Sequence, residues 1–197
     1  SEGHEVVVMS GGSGFYVNAI CNGLDALPDA DPVRRAELTA RLAEEGVESL
    51  AEELKRLDPV SWAAIDIRNG HRVVRAIEVF LQTGRPFVSF RLTEPKPRSF
   101  DIEKICLTRP REELYDRIDR RVLKMMDDGL VDEVRSLSGF RDLPALRTVG
   151  YREIFDCLDG NIPLDEAIRL IQRNTRHYAK KQLTWWKRDP TVKWVEL

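Results

Sequence analysis

A glycine-rich turn near the start of the chain places the strongest constraint on the fold. The residues Glu5-Val-Val-Val-Met-Ser-Gly-Gly-Ser-Gly-Phe-Tyr16 join a β-branched run to a helix-like segment, a pattern that predicts a strand, a tight turn and a helix start. Glycines let the backbone approach a ligand closely, and free N–H groups at a helix start attract phosphate. Ser13 adds a hydroxyl to the turn. Because the stretch matches neither a Walker A loop nor GxGxxG, a structural turn and a phosphate site both remain open.

Composition excludes several classes of protein. The 197 residues are 42% hydrophobic and 32% charged, which is enough to bury a core in one large domain or two small ones. No apolar run approaches the ~20 residues needed to cross a bilayer, and no leader precedes Val6, so we expect a cytoplasmic protein. The three cysteines and three histidines are widely scattered, which favours reduced core cysteines and argues against a disulfide framework or a metal site.

A net charge of −2 conceals one strongly basic segment. No acid occurs between Glu166 and Asp189, where the cations are Arg169, Arg173, Arg176, Lys180, Lys181, Lys187 and Arg188. Four of them recur at helical spacing along the predicted helix 164–187, and such a stripe repels itself unless a polyanion faces it. Trp185 and Trp186 at its end would be either core anchors or stacking platforms for unpaired bases.

Proline-containing breaks near residues 24–32 and 84–97 divide the chain. Between them the apolar spacing is helical throughout, whereas strand patterns return at 102–107 and 191–196. We therefore expect an α/β fold in which segments 1–28 and 100–197 form a core around a parallel sheet. Residues 29–99 would form an all-helical insertion.

Arginines and aspartates alternate on the predicted helix 111–128. Their spacing favours a solvated face with ion pairs at i,i+3 and i,i+4. The alternative is that one arginine clamps a pyrophosphate, because the planar guanidinium matches phosphate oxygens bidentately. The residues concerned are Asp116, Arg117, Asp119, Arg120 and Arg121.

Six short motifs follow one another over nearly the whole chain: Ser10-Gly-Gly-Ser-Gly-Phe-Tyr16, Leu24-Asp-Ala-Leu-Pro28, Asp58-Pro59, His71-Arg-Val-Val-Arg-Ala-Ile-Glu-Val79, Val149-Gly-Tyr-Arg152 and Ala179-Lys-Lys-Gln-Leu-Thr-Trp185. Their order and spacing resemble the tRNA dimethylallyltransferase (tRNA isopentenyltransferase) family. The resemblance implies transfer of a dimethylallyl group from dimethylallyl diphosphate to N6 of the adenosine 3′ of the anticodon, with Mg²⁺. It also implies a partial P-loop-kinase-like core, and a helical insertion that contacts the tRNA anticodon stem-loop.

The resemblance also implies roles for individual residues. Ser13 matches a threonine near the target adenosine and keeps its hydroxyl, so Ser13 and Arg121 are the expected catalytic residues. Arg121, with Gly11 and Gly12, would bind the diphosphate, which reverses the solvated-face interpretation for that arginine. The residues implied to contact tRNA, besides Ser13, are Arg35, Gly70, His71, Arg72, Val73, Val74, Arg147, Thr148, Val149, Gly150, Tyr151, Arg152, Lys180, Lys181, Gln182, Leu183, Thr184, Trp185, Trp186 and Lys187.

One departure from the family pattern is large. The family's Walker A loop, and the Asp-Ser segment whose aspartate is the expected general base, do not occur in these residues. We therefore expect that roughly the first third of the enzyme is not represented, and that most Mg²⁺ ligands lie there. The chain alone would then be inactive, and we expect a monomer. Two alternatives remain: an RNA-binding module without catalysis, and a P-loop nucleotide kinase-like phosphotransferase.

Overall fold

Helices account for most of the residues that the computed structural model describes, namely residue 3 and the ranges 5–91 and 94–197. The chain divides into two compact units, Ser1–Gly14 with Asp101–Leu197, and Phe15–Phe100. Residues 15–28, which the sequence analysis assigned to the core, therefore belong to the helical unit. Hydrogen bonds attach this segment to the end of the helical unit. The Lys96 N–H donates to the Asn22 carbonyl at 2.9 Å, and Arg98 Nε donates to the Cys21 carbonyl at 3.3 Å.

The helical unit is assembled from helices with well-defined ends. Asp31 accepts hydrogen bonds from the N–H groups of Val33 and Arg34, both at 3.1 Å, and so caps helix α2 (Pro32–Leu57). Gly46, at φ 82°, interrupts that helix. The α-helices of this unit are α1 (Gly14–Asn22), α2 (Pro32–Leu57), α3 (Pro59–Ala64) and α4 (Gly70–Thr83).

The core of the helical unit lies between α2 and α4. Leu50, Leu54, Val73 and Ile77 are completely buried there, which follows from apolar residues spaced at three and four positions along each helix. Asp58 is buried beside them, and its carboxylate accepts hydrogen bonds from the N–H groups of Ser61 and Phe87.

A buried carboxylate connects α4 to the start of α2. Glu78 has no exposed surface, and its carboxylate accepts from Arg35 Nε at 3.0 Å and from the Asp31 N–H at 2.9 Å. Arg75 completes the cluster with an ion pair at 2.9 Å. Burial by itself would raise the pKa of Glu78, but the hydrogen bonds from both arginines outweigh burial and hold this pKa below its usual value.

The other unit contains a short parallel sheet with helices in its crossover. Strands β1 (Lys104–Thr108) and β2 (Val192–Glu196) pair in parallel, with Lys104 opposite Val192, close to where the sequence predicted strands. The pKa of Asp189 is lowered to about 2. The main cause is a hydrogen bond from Lys104 Nζ at 2.7 Å, and a hydrogen bond from the Thr191 side chain has the next largest effect. The crossover helices are α5 (Arg111–Asp127), α6 (Leu130–Ser136), α7 (Tyr151–Leu158) and α8 (Leu164–Trp186).

The predicted strand before the glycine turn does not form. Val6, Val7 and Val8 have no regular secondary structure and are 79%, 68% and 86% exposed. A strand requires a neighbour for its N–H and C=O groups, and the two strands found in the described ranges pair with each other. High β-propensity alone therefore does not produce a strand here. Within these ranges, no helix combines the length and the apolar character that crossing a bilayer requires.

Replacing Glu78 by glutamine should destabilise the helical unit. We expect the free energy of unfolding to fall by about 2–3 kcal/mol at pH 7, because two arginines lose their charged acceptor. Urea unfolding followed by circular dichroism measures this change.

The matched control for Glu78→Gln is Glu52→Gln, since Glu52 is 69% exposed and lies 4.0 Å from Lys55. It should change the free energy of unfolding by less than about 0.5 kcal/mol. Because the folded-state pKa of Glu78 is lowered, its stabilisation is present above the unfolded-state pKa and is lost as pH falls. The difference between wild type and Glu78→Gln should therefore shrink below about pH 4; a difference that persists at lower pH would contradict this account.

Candidate functional site

The glycine turn packs against the C-terminal part of α8. A Cβ atom built on Gly12 would be 2.2 Å from Gln182 Nε2, and one on Gly14 would be 2.4 Å from Trp185 Cδ1. Real Cβ atoms do not approach other heavy atoms this closely. The Trp185 ring therefore requires glycine at position 14, whereas the flexible end of Gln182 could move aside from a side chain at position 12. Ser13 lies half-buried between the two glycines. The structure thus brings together two segments that the sequence analysis selected separately, the turn and the basic end of α8.

An open depression of about 530 Å³ lies along α5 and is lined by Arg117, Ile118, Arg120, Arg121 and Lys124. Arg120 is bound by Asp116, and Lys124 donates to Asp128 at 3.0 Å. In the part of the chain that the structure describes, neither Arg117 nor Arg121 has an ion-pair partner. The solvated-face interpretation therefore applies to Arg120, while two exposed guanidinium groups one turn apart remain available to an anion.

No hydrogen bond or ion pair joins the turn to Arg117 or Arg121 among the described residues. The expectation that Ser13 and Arg121 share one cavity therefore stays a prediction.

The basic stripe on α8 is less uniform than the sequence predicted. Arg169 pairs with Glu166 at 2.5 Å, and Arg176 pairs with Asp119 of α5. Arg173 is exposed and donates only to Asn174, at 3.3 Å. The sequence between Glu166 and Asp189 contains no acid, but two arginines of the stripe nevertheless have carboxylate partners. One partner lies in an earlier turn of α8 and the other lies on α5. The cations that remain available lie mainly at its C-terminal end.

A second buried carboxylate fixes the loop that precedes α7. Glu153 is 2% exposed, and its carboxylate accepts from the Gly150 N–H at 2.8 Å and from Asn174 Nδ2 at 2.7 Å. Arg152 donates to it at 3.0 Å. Burial would raise the pKa of Glu153, but hydrogen bonds from Asn174 and Gly150 outweigh burial and lower this pKa.

Glu153 and Asn174 were not among the predicted functional residues, and Asp119 was predicted only as part of a face that carries ion pairs. Glu153 could have been found, because it lies three residues after a glycine that begins a helix, the spacing of a capping box. Asn174 and Asp119 carried no such local signal.

The remaining predicted residues differ in exposure. In the segment 147–152, which joins a loop to the first residues of α7, Arg147, Thr148 and Arg152 are exposed, Val149 is half-buried and Gly150 is buried at φ 102°. The hydroxyl of Tyr151 donates to Glu133, and this hydrogen bond raises the pKa of Tyr151. At the end of α8, the exposed predicted residues are Lys180, Lys181, Thr184, Trp185 and Lys187, while Gln182, Leu183 and Trp186 are half-buried.

Predicted tRNA contacts in the helical unit require one correction. His71 and Arg72 are exposed at the start of α4, but Val73 and Val74 are only 0% and 4% exposed. These valines pack in the apolar core, so their side chains are unavailable to RNA. Arg35 is held by Glu78, and the packing of Leu42 accounts for Gly70, since a Cβ there would lie 2.7 Å from Leu42 Cδ2.

A family model described as IPP transferase matches residues 1–189. The chain belongs to this family. Among curated members, tRNA dimethylallyltransferase 1 of Bacteroides thetaiotaomicron is 50% identical over 191 residues, which cover 97% of this chain and 62% of the relative. The tRNA dimethylallyltransferase of Cytophaga hutchinsonii is 49% identical and is covered to 63%. The chain therefore spans less than two thirds of the length of these IPP transferases.

Solved structures agree with this assignment. The full-length tRNA isopentenylpyrophosphate transferase of Bacillus halodurans is 39% identical with a TM-score of 0.57, covering 93% of this chain and 57% of that one. A eukaryotic dimethylallyltransferase acting on tRNA is 19% identical with a TM-score of 0.69, covering 94% and 50%, and supports the fold alone. The predicted IPP transferase resemblance and the α/β fold class with a helical insertion are confirmed.

Metal-ligating residues are not clustered in this part of an IPP transferase. The described ranges contain no group of three or more His, Cys, Asp or Glu side chains that could hold a metal ion. The residues present therefore do not form a protein cage for Mg²⁺, although Mg²⁺ in other proteins is often held by few carboxylates together with substrate phosphates.

Substituting Gly14 by alanine should disturb the contact between the glycine turn and α8. The new methyl group would overlap the Trp185 ring, and we expect a loss of about 1–3 kcal/mol in the free energy of unfolding, with a change in tryptophan emission. Gly11→Ala is the matched control, because a Cβ at Gly11 meets no atom within 4 Å. Equal effects of the two substitutions would show that the close approach is unimportant.

Replacing Glu153 by glutamine should loosen the 147–152 loop. We expect faster hydrogen exchange of the Gly150 amide and a stability loss of about 2 kcal/mol, since the amide, the asparagine and the arginine lose a charged acceptor. Asp132→Asn serves as the control, because Asp132 is 81% exposed in its pair with Arg135. Unchanged exchange at Gly150 would refute the role assigned to Glu153.

Proposed function

We propose that the complete protein transfers the dimethylallyl group of dimethylallyl diphosphate to N6 of the adenosine 3′ of a tRNA anticodon. The observation that carries the proposal is the packing of the Ser13 turn against the basic end of α8. A hydroxyl-bearing glycine turn beside exposed cations suits a site at which a nucleotide of a bound RNA meets an anionic donor. The names of the relatives, tRNA dimethylallyltransferases, support the choice of reaction.

The chemistry divides between leaving group and nucleophile. In the transfer, a C–O bond to the diphosphate breaks, an N6–C bond forms, and the amine loses a proton to a base. Arg121 is exposed and forms no ion pair within the described ranges, and it would neutralise the departing diphosphate, which is the largest charge change in the reaction. The Ser13 hydroxyl would orient the adenosine. The base is not assigned among these residues, which contain no Gly-Lys-Ser/Thr sequence.

RNA binding would use the exposed cations of two adjacent segments. Lys180, Lys181 and Lys187 at the end of α8, and Arg147 and Arg152 in the loop that Glu153 fixes, would bind phosphates of the anticodon stem-loop. Exposed Trp185 offers a stacking face as well as its contact with Gly14. His71 and Arg72 of the helical unit would add contacts of the same kind.

The proposal includes further properties that the family resemblance implies. The adenine must leave its stack to reach the donor, as in other enzymes that modify bases. The enzyme would act in the cytoplasm as a monomer, with Mg²⁺ carried by the diphosphate. No step described above depends on the metal.

A second candidate is an RNA-binding module without catalysis, and the partial coverage of the relatives favours it for these 197 residues taken alone. A P-loop nucleotide kinase is less well supported, since the curated relatives are named tRNA dimethylallyltransferases. Binding of an anticodon stem-loop by the 197-residue chain without prenylation would support the module. The kinase would be supported if the longest polypeptide that the gene encodes bound ATP more tightly than it bound dimethylallyl diphosphate.

Arg121→Ala in that longest polypeptide should impair use of the donor selectively. We expect kcat/KM for dimethylallyl diphosphate to fall roughly 100-fold, while the Kd for an anticodon stem-loop changes less than about 3-fold. Transfer of radiolabelled dimethylallyl groups and RNA binding measure the two quantities. Arg135→Ala, at an exposed pair on α6, is the control. Equal losses of donor use and RNA binding would count against the role of Arg121.

A further inference from the structure

Two helices of the candidate site are joined through a single acidic residue of α5. The carboxylate of Asp119 accepts a hydrogen bond from Arg176 of α8, and the main-chain carbonyl of Asp119 accepts one from Gln172 Nε2 at 3.3 Å. The Arg176 guanidinium also lies 5.8 Å from the centre of the Tyr115 ring, one turn away on α5. One arginine of α8 is therefore held by two side chains of α5.

The position of Asp119 in the helix determines what this contact can control. Asp119 is two residues from both Arg117 and Arg121, and two residues correspond to roughly 200° around a helix. Asp119 therefore faces α8, while Arg117 and Arg121, which form no ion pair with any described residue, face the open depression on the other side. Any rotation of α5 about its axis would move Asp119 away from Arg176. The same rotation would turn Arg117 and Arg121 away from the open depression.

Apolar packing alone would hold α5 less exactly. Ile118 and Val122 are buried, but hydrophobic contacts tolerate small rotations and shifts because they are not directional. A charge-assisted hydrogen bond, supported by the second one from Gln172, has a defined geometry. Positioning of reacting groups requires such geometry, since small displacements greatly reduce rates.

We propose that Asp119 and Arg176 form a positioning pair, which fixes the rotation of α5 on α8 and so directs Arg117 and Arg121 toward a bound diphosphate. This inference rests on the proposed function. It assigns Arg176, whose side chain is 26% exposed, to the contact between the two helices, so that this member of the basic stripe does not bind RNA. The RNA-facing cations are then those nearer the end of α8.

The experiment compares variants of the longest polypeptide that the gene encodes. Asp119→Asn should raise the KM for dimethylallyl diphosphate about 10-fold, with the Kd for an anticodon stem-loop within about 2-fold of wild type and Tm nearly unchanged. Asp119→Glu, which keeps the carboxylate, should recover most of the donor affinity. Glu166→Gln breaks the surface pair with Arg169 and is the control for loss of an Arg–carboxylate pair on α8.

A double-mutant cycle tests whether the two residues act together. Arg176→Gln should reproduce the KM change of Asp119→Asn, and the double variant should be no worse than either single one. Additive effects would overturn the proposal, as would an unchanged donor KM in Asp119→Asn. A fall in Tm with equal losses of donor use and RNA binding would also overturn it, because the pair would then be only structural.

Calorimetry with inorganic pyrophosphate separates this inference from the proposed function. If the wild type binds pyrophosphate but transfers no dimethylallyl group, the proposed function fails. Weaker pyrophosphate binding by Asp119→Asn would then still support the pair. If the wild type transfers the group and Asp119→Asn behaves like it, only the positioning pair fails. A wild type that neither transfers nor binds pyrophosphate overturns both.

Discussion

The close contact between α8 and its neighbours is the constraint on which the candidate site depends. Its C-terminal end reaches the glycine turn through Gln182 and Trp185, and the Trp185 ring leaves no room for a Cβ on Gly14. Further along, Arg176 binds Asp119 of α5. A single long helix thus sets the position of the turn and of the arginine-bearing helix, so that a displacement of α8 would alter both.

Charged residues in this protein fall into two physical classes. Pairs such as Arg120–Asp116 and Arg135–Asp132 are exposed, screened by solvent and worth little to stability. A buried carboxylate such as Glu153 is different, because it has given up hydration and depends on every donor around it. The carboxylate of Glu153 accepts hydrogen bonds from the Gly150 amide and from Asn174 of α8. The same residue therefore contributes to stability and fixes the shape of the segment 147–152, which is proposed to bind RNA.

Apolar side chains remain exposed at two places in the unit that holds the sheet. Three exposed valines precede the glycine turn, and the two-stranded parallel sheet leaves Ile105 and Leu107 58% and 60% exposed. Parallel sheets normally have both faces covered, so Ile105 and Leu107 form an apolar surface that is unusual for such a sheet.

Local sequence by itself determined the helix limits and the family. Asp31 and Asn69 cap helices and Gly46 interrupts one, because capping and glycine conformation depend on nearby residues. The ordered motifs identify the IPP transferases, because their residues and spacing are read directly from the sequence. Tertiary structure decided the rest. It left Val6–Val8 without a strand, buried Val73 in the core, and brought Asp119 to Arg176 across 57 residues of chain. Strand pairing, burial and ion pairs between helices depend on partners distant in sequence, and a local pattern carries no record of them.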